Sequence, residues 1–197
     1  GLDLRERQAE VASGAPDTAG EEAIALNLAL RQHPAACIAA VNGTALGAGL
    51  TLVNSCDLAI AADNATFGCP ELGFATYASM AGPTTQLTIT RKRAAWMLLT
   101  AARIDAVTAE RWGLVNAVVP GSALLDEATT LAARIAGFEP TALMEVKRAL
   151  DHIPAQISDW AGAMRHGQTV NATIRERSLA AAASHARKAV NPRSGPP

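Results

Sequence analysis

The chain has 197 residues, is 49% hydrophobic and 18% charged, and carries a formal net charge of −1. It is long enough to bury a sizeable core, and its proportions are those of a globular protein of one domain, or of one domain with a helical extension. So neutral a balance gives no sign of a nucleic-acid or anionic-membrane surface, and no uninterrupted apolar run approaches the roughly 20 residues of a bilayer span. Cys37, Cys56 and Cys69 are scattered without a CxxC pair, which predicts reduced, buried thiols rather than a disulfide framework or a zinc site. That points to the cytoplasm, or to an organelle matrix if a targeting segment has been removed.

In chain order, Gly1 to Gly20 is polar and reads as a turn, a short helix and a loop. Glu21 to Gln32 is predicted helical, with apolar Ile24, Leu26, Leu28 and Leu30, and His33-Pro34 ends it because the residue before proline is pushed out of the α region. Cys37 to Val41 is a short strand buried on both faces and closed by the Asn42-Gly43 turn; Gly47 to Ser55 is a compact helix; Asp57 to Ala61 is a second buried strand. Thr66 to Gly68 is a short extended piece leading into Cys69-Pro70-Glu71. This alternation is that of an α/β layer.

From Arg91 the pattern turns helical. Ala94 to Thr100 is one segment, and Thr108 to Trp112 is a turn capped by Gly113, with a strand from Leu114 to Val119 behind it. Ser122 to Ala136 starts on a serine cap, Pro140 to Asp151 starts on a proline, and a long Ala-rich segment runs from Ala155 to about Ala189. No repeat recurs at a fixed period. His33, His152, His166 and His185 lack metal-ligand spacing and are predicted as surface or capping residues, so no metal is expected.

The chemistry concentrates between Ala39 and Glu71, AAVNGTALGAGLTLVNSCDLAIAADNATFGCPE. A buried strand runs into a helix whose first turn, Gly47-Ala48-Gly49, is made of small residues. Such a helix start leaves N–H groups open to a developing negative charge, such as an oxyanion. The same glycines also suit close helix–sheet packing. Glu71 follows a rigid proline among apolar Phe67, Leu72 and Phe74, a setting suited to a proton-shuttling acid, although the dipeptide alone also fits a surface loop.

Taken together, A-V-N-G-x-A-L-G-x-G, C-D-L-A-I-A-A, A-x-F-G-x-P-E-L-G and R-I-D-A-x-x-A-E-R-W-G-L-V-N-x-V-V-P resemble, in order and spacing, the signature of the enoyl-CoA hydratase/isomerase (crotonase) family. The resemblance is close from Cys37 to Pro120 and loose beyond. It implies an α/β fold, a crotonase-type spiral of ββα units with an α-helical C-terminal region. The expected division is a spiral core over 1–120, a helical oligomerisation region over 121–190 and a disordered tail over 191–197. The opening Gly1-Leu2-Asp3-Leu4 resembles the family's A-G-x-D-L turn, so the family's first strands and a helix are expected to be absent from this sequence.

Carried over residue by residue, the resemblance puts an oxyanion hole at the backbone N–H groups of Leu2 and Ala48. It makes Glu71 a catalytic acid–base group and gives Gly47, Gly49, Phe74, Tyr77, Ser79 and Met80 to substrate binding. Hydratases of the family carry a first glutamate twenty positions before the second; that place is held here by Thr51, which can hydrogen-bond but cannot act as a base near neutral pH. Its expected catalytic part is to position water for a hydration in which Glu71 does the proton work. Ala48 replaces the middle glycine of the family's L-G-G-G, and the family's acyl-pocket loop reads here as Phe74 to Pro83, with Ala78 in place of its proline. The expected substrate is an acyl-CoA thioester, with coenzyme A as part of the substrate and no other cofactor, and the expected assembly is a homotrimer or hexamer. Double-bond isomerisation or hydration in fatty acid metabolism is the implied chemistry. Decarboxylation, thioester hydrolysis and a non-catalytic, RNA-associated relative are the alternatives.

Overall fold

The computed structural model describes residues 9, 12–13 and 19–190, with side chains through 183. The Gly1–Leu4 turn, with Leu2, and the tail 191–197 lie outside the described residues. Contacts divide the chain into residues 1–135 and 136–197.

The first unit opens with helix α1 (Ala19–Gln32), then β1 (Ile38–Val41), β2 (Thr44–Leu46), α2 (Ala48–Ser55), β3 (Leu58–Ala62) and β4 (Thr66–Gly68). The Asn42-Gly43 corner sends the chain from one sheet to another: β1 pairs in parallel with β3, and β2 in parallel with β4. Ile38 stands opposite Leu58 and Thr44 opposite Thr66, so one strand–strand–helix unit stacks in register on the next after about twenty residues. The period is structural and leaves no sequence repeat, because each turn of the stack meets different neighbours. Helices α3 (Ala81–Thr88) and α4 (Arg91–Thr100) follow, then β5 (Ile104–Asp105), α5 (Ala106–Trp112), β6 (Ala117–Val119) and α6 (Leu124–Ala136). β6 joins β3 on its other side and β5 runs antiparallel to β4.

The core holds Leu50, Phe67 and Met97, all at 0% exposure, among many buried alanines that let helices approach the strands closely. A buried leucine contributes about 1.5–3 kcal/mol. Hydrogen bonds stitch the layers: Ser55 Oγ donates to Asn27 Oδ1 (2.8 Å) and joins α2 to α1, and Asn54 Nδ2 donates to Thr84 and Thr85 on α3. Asp57 accepts from the Cys37 N–H at 2.7 Å, a structural pairing at the foot of β1.

Several sequence expectations need correction. β1 is not buried on both faces: Ala40 is exposed and only Val41 is buried, because β1 lies at the edge of its sheet with β3 as its one described neighbour. Only Cys69 is a buried cysteine; Cys37 and Cys56 are half-buried, and no disulfide joins any of the three. The strand expected from Leu114 shrinks to Ala117–Val119, because Asn116 instead bridges to Ala59 through both its N–H and its side-chain oxygen. Ser122 lies in a 3-10 turn (Gly121–Ala123), and α6 begins after it. The loop expected over Phe74 to Pro83 contains the start of α3. Its Pro83 occupies the first helical turn, where a missing N–H costs nothing.

In the second unit, α7 (Pro140–Gln156) keeps Pro154 within it and runs past the expected end at Asp151, while α8 (Trp160–Val190) starts after Asp159. Asp159 Oδ1 accepts from the Gly162 N–H at 2.7 Å, as a helix cap does. Between these helices Glu145, 8% exposed, pairs with Arg148 and Arg177, and the His152 and His166 rings stack with centroids 4.5 Å apart. Among the described residues no group of three or more His, Cys, Asp and Glu could hold a metal, and no helix is long and apolar enough to cross a membrane.

Candidate active site

Gly47 is where the two stacked units meet, against Gly68 and Glu71. It caps α2 with φ 51° and ψ −116°, a conformation L side chains rarely adopt, and makes no side-chain cap bond. Its own N–H is donated to the Gly68 carbonyl at 3.0 Å, which locks the helix start onto the end of β4. The next residue, Ala48, is exposed, and its N–H meets no acceptor among the described residues. An open helix start of this kind favours negative charge through its free donors and dipole.

Pro70 starts a 3-10 turn (Pro70–Phe74) directly after β4, and the turn aims Glu71 back at this helix start. A Cβ built on Gly47 would lie only 2.6 Å from Glu71 Oε1, so the carboxylate is packed into the space that the glycine leaves empty. Its other oxygen, Oε2, is buried and has no hydrogen-bond partner among the described residues. Buried polar atoms nearly always find partners, and an orphan at a helix mouth is a mark of a ligand-facing group.

Thr51 does not join that pair at the mouth. It is 1% exposed, and its hydroxyl is donated to the Gly47 carbonyl at 3.2 Å, beside the Thr51 N–H on the same oxygen at 3.0 Å. Its side chain thereby braces the glycine from within the helix.

A cavity of about 560 Å³ begins at Cys69 and Leu72, the residues flanking Pro70-Glu71. The loop from Ala75 to Ala78 forms one wall, and Gln86 of α3 with Arg91, Ala94 and Leu98 of α4 forms much of the rest. Tyr77 is fixed in it: Gln86 Nε2 donates to its hydroxyl at 3.2 Å, and a Cβ on Gly82 would fall 2.7 Å from that same oxygen. Of the residues assigned to substrate binding, Tyr77 lines the cavity, Gly47 and Gly49 form the helix mouth, and Phe74, Ser79 and Met80 are not on the cavity wall. Phe74 is 76% exposed. The Cys69 thiol is pushed up to about 11 by burial and by the nearby Glu71 charge, against a Thr85 hydrogen bond that lowers it, which disfavours its thiolate. Sequence reasoning missed the α4 wall, because Arg91, Ala94 and Leu98 look like any other helical face until α4 is placed against the loop.

The sequence model of the enoyl-CoA hydratase/isomerase family matches residues 1–178. A Dictyostelium discoideum protein named "Probable enoyl-CoA hydratase, mitochondrial" is 40% identical over 115 residues, which are 58% of this chain and 42% of that protein. The chain thus spans less than half the length of that relative. The crystal structure of an enoyl-CoA hydratase from Mycobacterium smegmatis aligns with a TM-score of 0.77 at 31% identity, over 87% of this chain and 66% of that one. A monofunctional enoyl-CoA isomerase from the same species aligns with a TM-score of 0.63 at 37% identity, over 70% of this chain and 65% of that one. The α/β fold with a helical C-terminal region is the one expected from the sequence motifs.

Proposed function

The chain belongs to the enoyl-CoA hydratase/isomerase family, and on that premise we propose that it binds an acyl-CoA thioester and moves a proton on its acyl group with Glu71. The observation that carries the reading is the Glu71 carboxylate packed against Gly47, with one buried oxygen unpartnered, beside the open N–H of Ala48. In this reading the thioester oxygen sits on the Ala48 N–H, with Leu2 as the second donor. Negative charge that develops on that oxygen is stabilised where the helix start already favours it.

One carboxylate suits double-bond isomerisation. Glu71 takes a proton from C2 of a 3-enoyl thioester; the C–H electrons form a dienolate whose charge rests on the thioester oxygen. The same group returns the proton at C4, so the double bond ends at C2 and nothing else is consumed or released. Thr51 supports this choice over hydration, since its buried hydroxyl is donated to Gly47 and offers no second base for water. Self-association into a trimer or hexamer belongs to the same proposal.

The test is turnover of 3-enoyl- and 2-enoyl-CoA by the wild type and by Glu71→Gln, with the products identified by chromatography. Isomerisation of the 3-enoyl substrate is expected, and the variant should lose about 10²–10⁴-fold in turnover while still binding the thioester. A 3-hydroxyacyl product would replace isomerisation with hydration. Near-normal turnover by Glu71→Gln would remove Glu71 from the mechanism.

A further inference from the structure

Two arginines near the start of α4 are used differently. Arg93 donates from Nη1 to the Trp112 carbonyl at 2.7 Å and ties α4 to the end of α5. Arg91 is exposed and has no ion-pair or hydrogen-bond partner for its guanidinium among the described residues. Among the described residues it is the only charged one on the wall of the 560 Å³ cavity, and no Asp or Glu of those residues lines that wall. Around it stand apolar Leu72, Ala94 and Leu98 and the hydrogen-bonded pair of Tyr77 and Gln86.

A cavity with mostly apolar walls and a single free guanidinium matches one kind of guest: an apolar chain that ends in a carboxylate. Arginine's planar fork meets a carboxylate through two N–H donors, whereas a hydrocarbon tail gains nothing from it. The volume falls in the usual range for small-molecule sites. At roughly 30 Å³ per water-sized group it holds on the order of nineteen such groups, well beyond a short acyl unit. The nucleotide end of coenzyme A fits this wall poorly, since several phosphate charges would face one cation.

We infer that this cavity takes the acyl portion of the substrate and that Arg91 selects acyl groups ending in a carboxylate, the coenzyme A monothioesters of dicarboxylic acids. This rests on the acyl-CoA reading above. The probes are hexanoyl-CoA and adipoyl-CoA, equal in length, saturated and therefore not turned over, together with coenzyme A alone. Their affinities for the 197-residue chain are measured by calorimetry in the wild type, Arg91→Gln and Arg91→Lys, with circular dichroism to confirm folding.

The wild type is expected to bind adipoyl-CoA about tenfold more tightly than hexanoyl-CoA, the size of a charge-assisted bond at a partly exposed site. Arg91→Gln should erase that preference by weakening adipoyl-CoA alone, and Arg91→Lys should keep part of it. Equal wild-type affinities, or a preference that survives Arg91→Gln, overturn the inference. So does an equal loss for both thioesters, which would place Arg91 on the coenzyme A portion. If neither thioester nor coenzyme A binds, the acyl-CoA reading itself fails and the inference falls with it.

Discussion

Replacing Gly47 by alanine strikes the site at its narrowest point. The backbone there, at φ 51° and ψ −116°, strains any L side chain, at a cost on the order of 1–3 kcal/mol. The new methyl would also stand 2.6 Å from Glu71 Oε1, closer than carbon and oxygen tolerate, so one of them must move. The glutamate is the end of a flexible side chain and gives way at little steric cost, but it carries with it the oxygen proposed to take the proton. Misplacing a reacting group by about 1 Å can lower turnover about 10²-fold. Gly47→Ala is therefore expected to lower the urea unfolding free energy by about 1–3 kcal/mol and turnover by about a hundredfold. Gly49→Ala is the control for stability: Gly49 lies within α2, and a Cβ there meets nothing within 4 Å. Exchanging a helical glycine for alanine should raise stability by about 0.4–1 kcal/mol. If Gly47→Ala matched the wild type in both stability and turnover, the packing of Glu71 against Gly47 would not be what organises the site.

Three further outcomes are expected. At pH 8 a thiol raised to about 11 is ionised to on the order of one part in a thousand, so iodoacetamide followed by mass spectrometry should label Cys37 and Cys56 well before buried Cys69; equal labelling rates would contradict its burial. Asp105 is held below its ordinary 3.8, first by the Thr108 hydroxyl and then by the Thr108 N–H, and Glu139 below its ordinary 4.5 by the N–H groups of Ala142 and Thr141. A carboxylate lowered on folding contributes stability above its unfolded value and loses it as pH falls through the folded one. Urea midpoints of Asp105→Asn and Glu139→Gln should therefore fall less steeply below about pH 4 than the wild type's; parallel acid limbs would refute the capping role. Sedimentation at micromolar concentration should show a trimer or hexamer, given exposed Leu150, Trp160, Met164 and Leu179 on α7 and α8, and a monomer alone would count against it.

Much of the fold was legible wherever a local pattern was strong. The apolar runs before Asn42-Gly43 and around Ile60 announced strands, and the small residues after Leu46 announced α2. β2 and β5 escaped notice because strands of three and two residues carry no period of their own and exist only through their pairing with β4. α3 was hidden by Gly82-Pro83, which reads as a loop although the proline fits a first helical turn. At the site, the residue types pointed to Glu71 and the helix start. That Glu71 fills the empty side of Gly47, and that the Thr51 hydroxyl turns inward, depends on stacking between units that no local pattern encodes.

The register between successive units bears on the order in which the chain assembles. The β1–β3 and β2–β4 pairings each join residues about twenty apart, whereas Ile60 of β3 meets Ala117 of β6 across 57 residues. Loop closure grows with the logarithm of loop length, so the wider closure costs about 0.9 kcal/mol more in chain entropy. On these grounds the two stacked units can zip together before β6 docks. Gly47 and Glu71 both lie in the early pair, so the acid and the helix mouth meet while the far edge of the sheet is still open. A slow late step in folding would then delay the closing of the core around β6 without delaying the meeting of those two residues.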